Sequence, residues 1–139
     1  MADRLTLELA TPTRLVVAET ADEVVVPGIE GYFGVLPGHA AFLTTLGTGG
    51  VTYRIGREEH SLAVSGGFAE VRNDKVIVLA DTAERPDEID RARAERARER
   101  AERRLSGRGA EESVDYARAA AALARAMNRL QTATREGTT

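Results

Sequence analysis

From Arg4 to about Ala80 apolar and polar residues alternate with a period near two, as in Leu5-Thr6-Leu7-Glu8-Leu9 and Val51-Thr52-Tyr53-Arg54-Ile55. Such alternation puts one set of side chains on a core face and the other in solvent, so it predicts β-strands. Turn signals cut the pattern at short intervals: Pro27-Gly28, Gly31, Gly34, Pro37-Gly38, Gly47, Gly49-Gly50, Gly56, Gly66-Gly67 and Asn73-Asp74. Many short antiparallel strands at this spacing predict a β-sandwich of two packed sheets over residues 1–83.

After Thr82 the glycines nearly vanish, and alanine, arginine and glutamate dominate until Gly137. Residues 84–139 therefore read as a C-terminal α-helical hairpin. Pro86-Asp87-Glu88 marks the first helix start, with Asp87 as the expected cap and Glu88 and Asp90 placed favourably at the positive end of the dipole. Ala94, Ala97, Ala101 and Leu105 recur at helical spacing, and Ser106-Gly107-Arg108-Gly109 is expected to stop that helix before Ser113 or a neighbour caps the next. In the second helix Tyr116, Ala120, Leu123, Met127 and Leu130 fall four, three, four, three apart, a heptad-like seam. An alanine stripe offers little area to bury, so the tail fits two readings: a hairpin that docks weakly on the sandwich and can undock, or a stable, thin hairpin.

Charge divides the same way. Residues 1–83 carry 6 basic and 11 acidic side chains, residues 84–139 carry 13 and 11, and every basic residue of the tail is arginine. No uncompensated basic face points to nucleic acid. No apolar run approaches the roughly 20 residues that a membrane-spanning helix needs, and the N-terminus lacks the basic start and apolar stretch of a secretory signal. The chain has no cysteine, which removes disulfides and thiolate metal sites. His39 and His60 fit neither metal-ligand nor nucleophile-base spacing, Ser65-Gly66-Gly67 lacks the context of a nucleophile elbow and reads as a turn, and no glycine-rich loop ends in Gly-Lys-Ser or Gly-Lys-Thr. These residues predict no catalytic site and no resident cofactor or metal.

Two blocks of the β half, Glu30-Gly31-Tyr32-Phe33-Gly34-Val35-Leu36-Pro37-Gly38-His39-Ala40 and Val64-Ser65-Gly66-Gly67-Phe68-Ala69-Glu70-Val71, resemble the epsilon subunits of bacterial and chloroplast-type ATP synthases. Val76-Ile77-Val78-Leu79-Ala80-Asp81-Thr82-Ala83 extends the likeness. In the tail, Ile89-Asp90-Arg91-Ala92-Arg93-Ala94 has the form Ile-Asp-x-x-Arg-Ala of family members that bind ATP in the hairpin, and Arg125-Ala126-Met127-Asn128-Arg129-Leu130 is similar to the partner segment. The resemblance implies a non-catalytic rotor subunit, peripheral on the cytoplasmic face of the bacterial inner membrane. Its sandwich would bind the gamma subunit and the c-ring. Its hairpin would restrain ATP hydrolysis by extending toward the catalytic alpha and beta subunits.

Asp90 and Arg93 are three apart and Arg125 and Arg129 four apart, so each pair shares a helix face, and two guanidiniums can fork onto phosphate oxygens. Family similarity adds Glu84, Ile89 and Ala94 as neighbours of ATP, bound as a regulatory ligand. The resemblance also implies ring contact through the loop from Tyr32 to His39, although relatives often carry an acidic residue where Tyr32 stands. A second reading is a free-standing β-sandwich adaptor with a helical tail that binds another protein and no nucleotide.

Overall fold

The structure, a computed structural model, describes residues 4–107 and 115–136. The alternating segment forms eight strands: β1 Leu5–Ala10, β2 Leu15–Ala21, β3 Glu23–Gly28, β4 Gly31–Val35, β5 Phe42–Thr45, β6 Thr48–Ile55, β7 Glu58–Arg72 and β8 Lys75–Glu84. They hydrogen-bond in the order β2-β1-β8-β7-β6-β3-β4, with β5 added to β7. The pairs are antiparallel except β1 with β8, which run parallel, so the expected all-antiparallel arrangement is corrected to a mixed one. The sheet turns back on itself, bringing β2 onto β6 and β1 onto β3.

The core follows from the alternation. Leu5, Leu7 and Leu9 of β1 are fully buried together with Val24 and Val26 of β3, Val51 of β6, Leu62 of β7 and Val76 and Val78 of β8. At roughly 25 cal/mol per Å² of apolar area, such leucines and valines are the main stabilising contribution of this unit.

The expected turn at Ser65-Gly66-Gly67 is not a turn. β7 continues through it, pairing with β6 up to Ser65 and with β5 from Phe68 onward, so the strand passes from one layer of the sandwich to the other at this point. Gly66 and Gly67 take φ of 70° and 110°. A Cβ at Gly67 would enter the space of the Leu79 carbonyl oxygen on β8, so the glycine pair permits a bend inside a continuous ladder.

Residues 85–139 form a second unit, while β8 extends through Glu84, the residue with which the hairpin was expected to begin. A single 3₁₀ turn at Pro86–Glu88 is followed by α1, Arg91–Leu105, and α2, Tyr116–Glu136. The true cap of α1 is Asp90, whose side chain accepts from the Arg93 amide at 3.0 Å. Asp87 lies within the 3₁₀ turn, and extended backbone at Ile89 separates that turn from the helix. α1 ends at Ser106, with Gly107 left-handed at φ 74°. Asp115 caps α2 by accepting from the Arg118 amide at 3.0 Å. The expected signals at Arg108, Gly109 and Ser113 lie outside the described residues.

The helices pack on each other through alanine. Ala94 and Ala101 on α1, and Ala119, Ala126 and Ala133 on α2, are buried at seven-residue intervals. The expected seam is therefore displaced. Leu123 and Leu130 are half-buried at its edge, whereas Tyr116, Ala120 and Met127 are exposed. At about 100° per residue, Met127 points roughly a quarter-turn away from Ala126, and the smaller side chain occupies the contact line because it lets the backbones approach.

Candidate functional site

Two regions carry the residues singled out by sequence. In the hairpin, Ile89 and Ala94 are buried, Asp90 and Arg93 are exposed at the start of α1, Arg125 is exposed and Arg129 is half-buried on α2. Glu84 is half-buried at the end of β8, opposite Ala63, and belongs to the sandwich rather than to the hairpin. Asp90 already uses Oδ1 to cap α1, so only the rest of its carboxylate is free to meet a ligand.

The helical angles decide which arginines share a side. Measured from the buried alanine line at about 100° per residue, Arg93 on α1 and Arg125 and Arg129 on α2 all turn to the same sense, and in an antiparallel pair equal senses fall on one flank. Arg91 donates from Nη2 to the Ala133 carbonyl at 2.7 Å, which sets the register of the two helices. With that register Arg93 and Arg129 stand within about one turn of each other in height. Arg93 also sits beside the N-terminus of α1, where the first amides and the helix dipole favour an anion.

The opposite flank holds a cleft that sequence reasoning missed, lined by Arg91, Ala92, Glu95, Arg98, Leu130 and Thr134. Within it Arg98 binds Glu95 and lies 3.3 Å from Glu102, while Arg91 reaches a carbonyl of α2. One signal in the sequence pointed here. α1 opens with Arg91 and Arg93 and has no acidic residue in its first turn, an unfavourable placement against its own dipole.

In the sandwich, Tyr32 and His39 are not brought together. Tyr32 stands near the start of β4, and His39 lies in the turn beyond the other end of that strand, at about 3.3 Å per residue. Tyr32 is 62% exposed, yet its hydroxyl oxygen accepts from the Gly50 amide at 3.0 Å. The reason lies in β3 between them: Pro27 donates no amide hydrogen and its carbonyl accepts from Gly47 at 2.9 Å, so the tyrosine takes up the Gly50 donor. The ring lies across Gly49, which has no side chain to obstruct it.

The His39 turn is held differently. The His39 amide donates to the Leu36 carbonyl at 3.1 Å, and the Gly38 amide donates to Asp74 Oδ1 at 2.7 Å. The imidazole Nδ1 lies 2.6 Å from the Ala40 carbonyl, an acceptor only, which places the proton on Nδ1. Phe42 beside it meets Phe33 edge-on at 5.1 Å between ring centroids.

A further feature emerges only from the strand registers. Leu15 on β2 pairs with Ala10 on β1, Ala10 with Leu79 on β8, Leu79 with Phe68 on β7, and Phe68 with Thr45 on β5. This straight row crosses the outer face of the sheet. Leu15, Leu79 and Phe68 are 62%, 54% and 58% exposed, and Leu43 adds a fourth exposed side chain on β5. Scattered exposed leucines are ordinary on a protein surface, but an aligned row across adjacent strands is a patch.

Among the described residues no group of three or more His, Asp or Glu is placed to hold a metal, and no helix is long and apolar enough to cross a membrane.

Known proteins share both units. Residues 4–86 match the family described as the ATP synthase delta/epsilon chain, beta-sandwich domain, and residues 87–134 match the delta/epsilon chain, long alpha-helix domain. The ATP synthase epsilon chain of Moorella thermoacetica is 55% identical over 130 residues, 93% of this chain and 96% of that one. That of Nitratidesulfovibrio vulgaris is 50% identical over 131 residues, 94% and 96% of the two chains. Among solved structures, a chain of the Euglena gracilis mitochondrial ATP synthase, in an assembly of OSCP, F1 and c-ring, aligns with a TM-score of 0.80 at 25% identity, covering 96% of this chain and 83% of that one.

Proposed function

This chain belongs to the delta/epsilon chain family of ATP synthase, non-catalytic subunits of the central stalk, and from that premise we propose that its sandwich couples the gamma subunit to the c-ring while its hairpin regulates hydrolysis. The observation that carries the coupling role is the exposed row of Leu15, Leu79 and Phe68. An aligned apolar surface on a well-packed sandwich suits a lasting partner, because its burial supplies association energy without reorganising the fold. The likeness to a chain solved within an F1 and c-ring assembly supports the same partners. The ring-facing contact is assigned to the segment from Tyr32 to His39, now as two separate points at the two ends of β4.

The test is direct. Phe68→Asp in the full chain is expected to weaken association with the gamma subunit by about tenfold or more, with the circular dichroism of the subunit unchanged. Unaltered association, or failure of the parent chain to associate with any ATP synthase subunit, overturns the coupling role and favours the free-standing adaptor.

Regulation is the second half of the proposal. ATP binds the closed hairpin as a regulatory ligand through Arg93, Arg125 and Arg129, with Ile89, Asp90 and Ala94 around it, and low ATP releases the helices toward the alpha and beta subunits. What supports it is the common flank of the three arginines beside an α1 N-terminus. Since ATP favours only the form it binds, the effect is a population shift and ATP is not consumed. Titration calorimetry is expected to show ATP binding by the isolated subunit, lost in Arg125→Ala. Reconstituted complexes lacking residues 85–139 are expected to hydrolyse ATP faster than complete ones, and equal rates at every ATP concentration overturn the regulatory role.

A further inference from the structure

The linker end of the hairpin is closed by a contact that helix propensity does not explain. Arg91 is the first residue of α1, where a cation faces the positive end of its own helix dipole. Its guanidinium instead reaches α2 and donates to the Ala133 carbonyl at 2.7 Å. Ala133 lies in the last turn of α2, at the end that carries the negative pole of the helix dipole. A placement unfavourable within one helix is thus offset by a charge-assisted bond to the other.

Ala94 and Ala133 present single methyl groups, and Arg98 is occupied by Glu95 and Glu102 of its own helix. The 3₁₀ turn at Pro86–Glu88 packs near α2 and is closed locally, with Glu88 accepting from the Arg85 amide at 2.9 Å.

We propose that Arg91 is a latch: held on the Ala133 carbonyl, it keeps the linker end of the hairpin shut, and its release is required whenever the two helices separate. The proposal rests on reading the hairpin as a part that opens, but the latch acts on closure itself and needs no nucleotide.

The absence of cysteine allows clean paired labelling of the full chain. Arg96→Cys on α1 and Gln131→Cys on α2, both at exposed positions, carry spin labels whose distance distribution reports separation of the helices. With ATP absent, Arg91→Ala is expected to raise the long-distance population about tenfold over the parent, the scale of losing one charge-assisted hydrogen bond. Helix content by circular dichroism is expected to be unchanged. Arg100→Ala, another exposed arginine of α1, is expected to leave the distribution as it was.

A distribution for Arg91→Ala that superimposes on the parent, or an equal opening by Arg100→Ala, overturns the latch. Loss of α2 helix content in Arg91→Ala also overturns it, because the arginine would then support the helix rather than close the hairpin. If deletion of the hairpin leaves hydrolysis unchanged while Arg91→Ala still opens it, the regulatory reading fails and the latch stands.

Discussion

The sandwich buries leucine and valine from most of its strands, while the two helices of the hairpin bury alanine at every seventh position. A fully buried leucine or valine contributes about 1.5–3 kcal/mol relative to exposure, and an alanine methyl supplies only a fraction of that area. The sandwich is thereby a rigid platform for partner surfaces such as the Leu15, Leu79 and Phe68 row. The hairpin buries mainly single methyl groups between its helices, and the Arg91 bond to the Ala133 carbonyl adds a polar closure. One chain thereby combines a unit packed with leucine and valine and a unit packed mainly with alanine.

The sharpest way to break that contrast is at the bend of β7. Gly67→Ala places a Cβ against the Leu79 carbonyl and forces φ of 110° on a residue with a side chain. We expect a loss of about 3 kcal/mol in urea unfolding of the sandwich. A variant as stable as the parent would show that the bend tolerates a side chain and that the platform is less rigid than argued.

A smaller effect probes the other side. Ala126→Gly removes a methyl group from the middle of the alanine line and adds backbone freedom to α2, for an expected loss of about 1 kcal/mol. It should lower hairpin helicity and protection from amide exchange while leaving the sandwich transition in place. A shift of the sandwich transition by the same amount would mean that the two units unfold as one, and the contrast in their construction would have no thermodynamic counterpart.

The strands and the change of period at the end of β8 were legible because alternation is a local signal, whereas several glycines expected in turns lie within strands, Gly34 in β4 and Gly49-Gly50 in β6. What escaped the sequence depends on partners distant in the chain. Gly66 and Gly67 read as a turn, since nothing local distinguishes a turn from a bend that keeps its ladder to β8. The parallel pairing of β1 with β8 joins strands about 70 residues apart and leaves no local mark. The seam of α2 was displaced because the larger side chains of Tyr116 and Met127 drew the reading away from the alanines that allow close approach. Of the site residues, the common flank of Arg93, Arg125 and Arg129 follows from helical spacing once the antiparallel pairing is known. By contrast, the hydroxyl of Tyr32 is committed to Gly50 for a reason that lies in Pro27, on the strand between them.

The smallest expected effect lies at the corner where β2 turns into β3. Asp22 accepts from the Gly56 amide at 2.6 Å and from Arg4 Nε at 3.1 Å, with Arg54 3.8 Å away. The Gly56 amide first, and then the two guanidiniums, hold its carboxyl below the ordinary carboxylate range despite some opposing desolvation. Because the folded value is depressed, the stabilisation is present above the unfolded value and is lost as pH falls through the folded one. Asp22→Asn keeps an oxygen for Gly56 but removes the charge facing Arg4 and Arg54. Its urea midpoint is expected to lie slightly below the parent's at neutral pH and to converge with it in acid, in step with a carboxyl titration of Asp22 by NMR centred below the ordinary aspartate range. A midpoint difference that stays constant across that range would assign the effect to altered hydrogen bonding rather than to charge. The corner would then be held by the Gly56 amide alone.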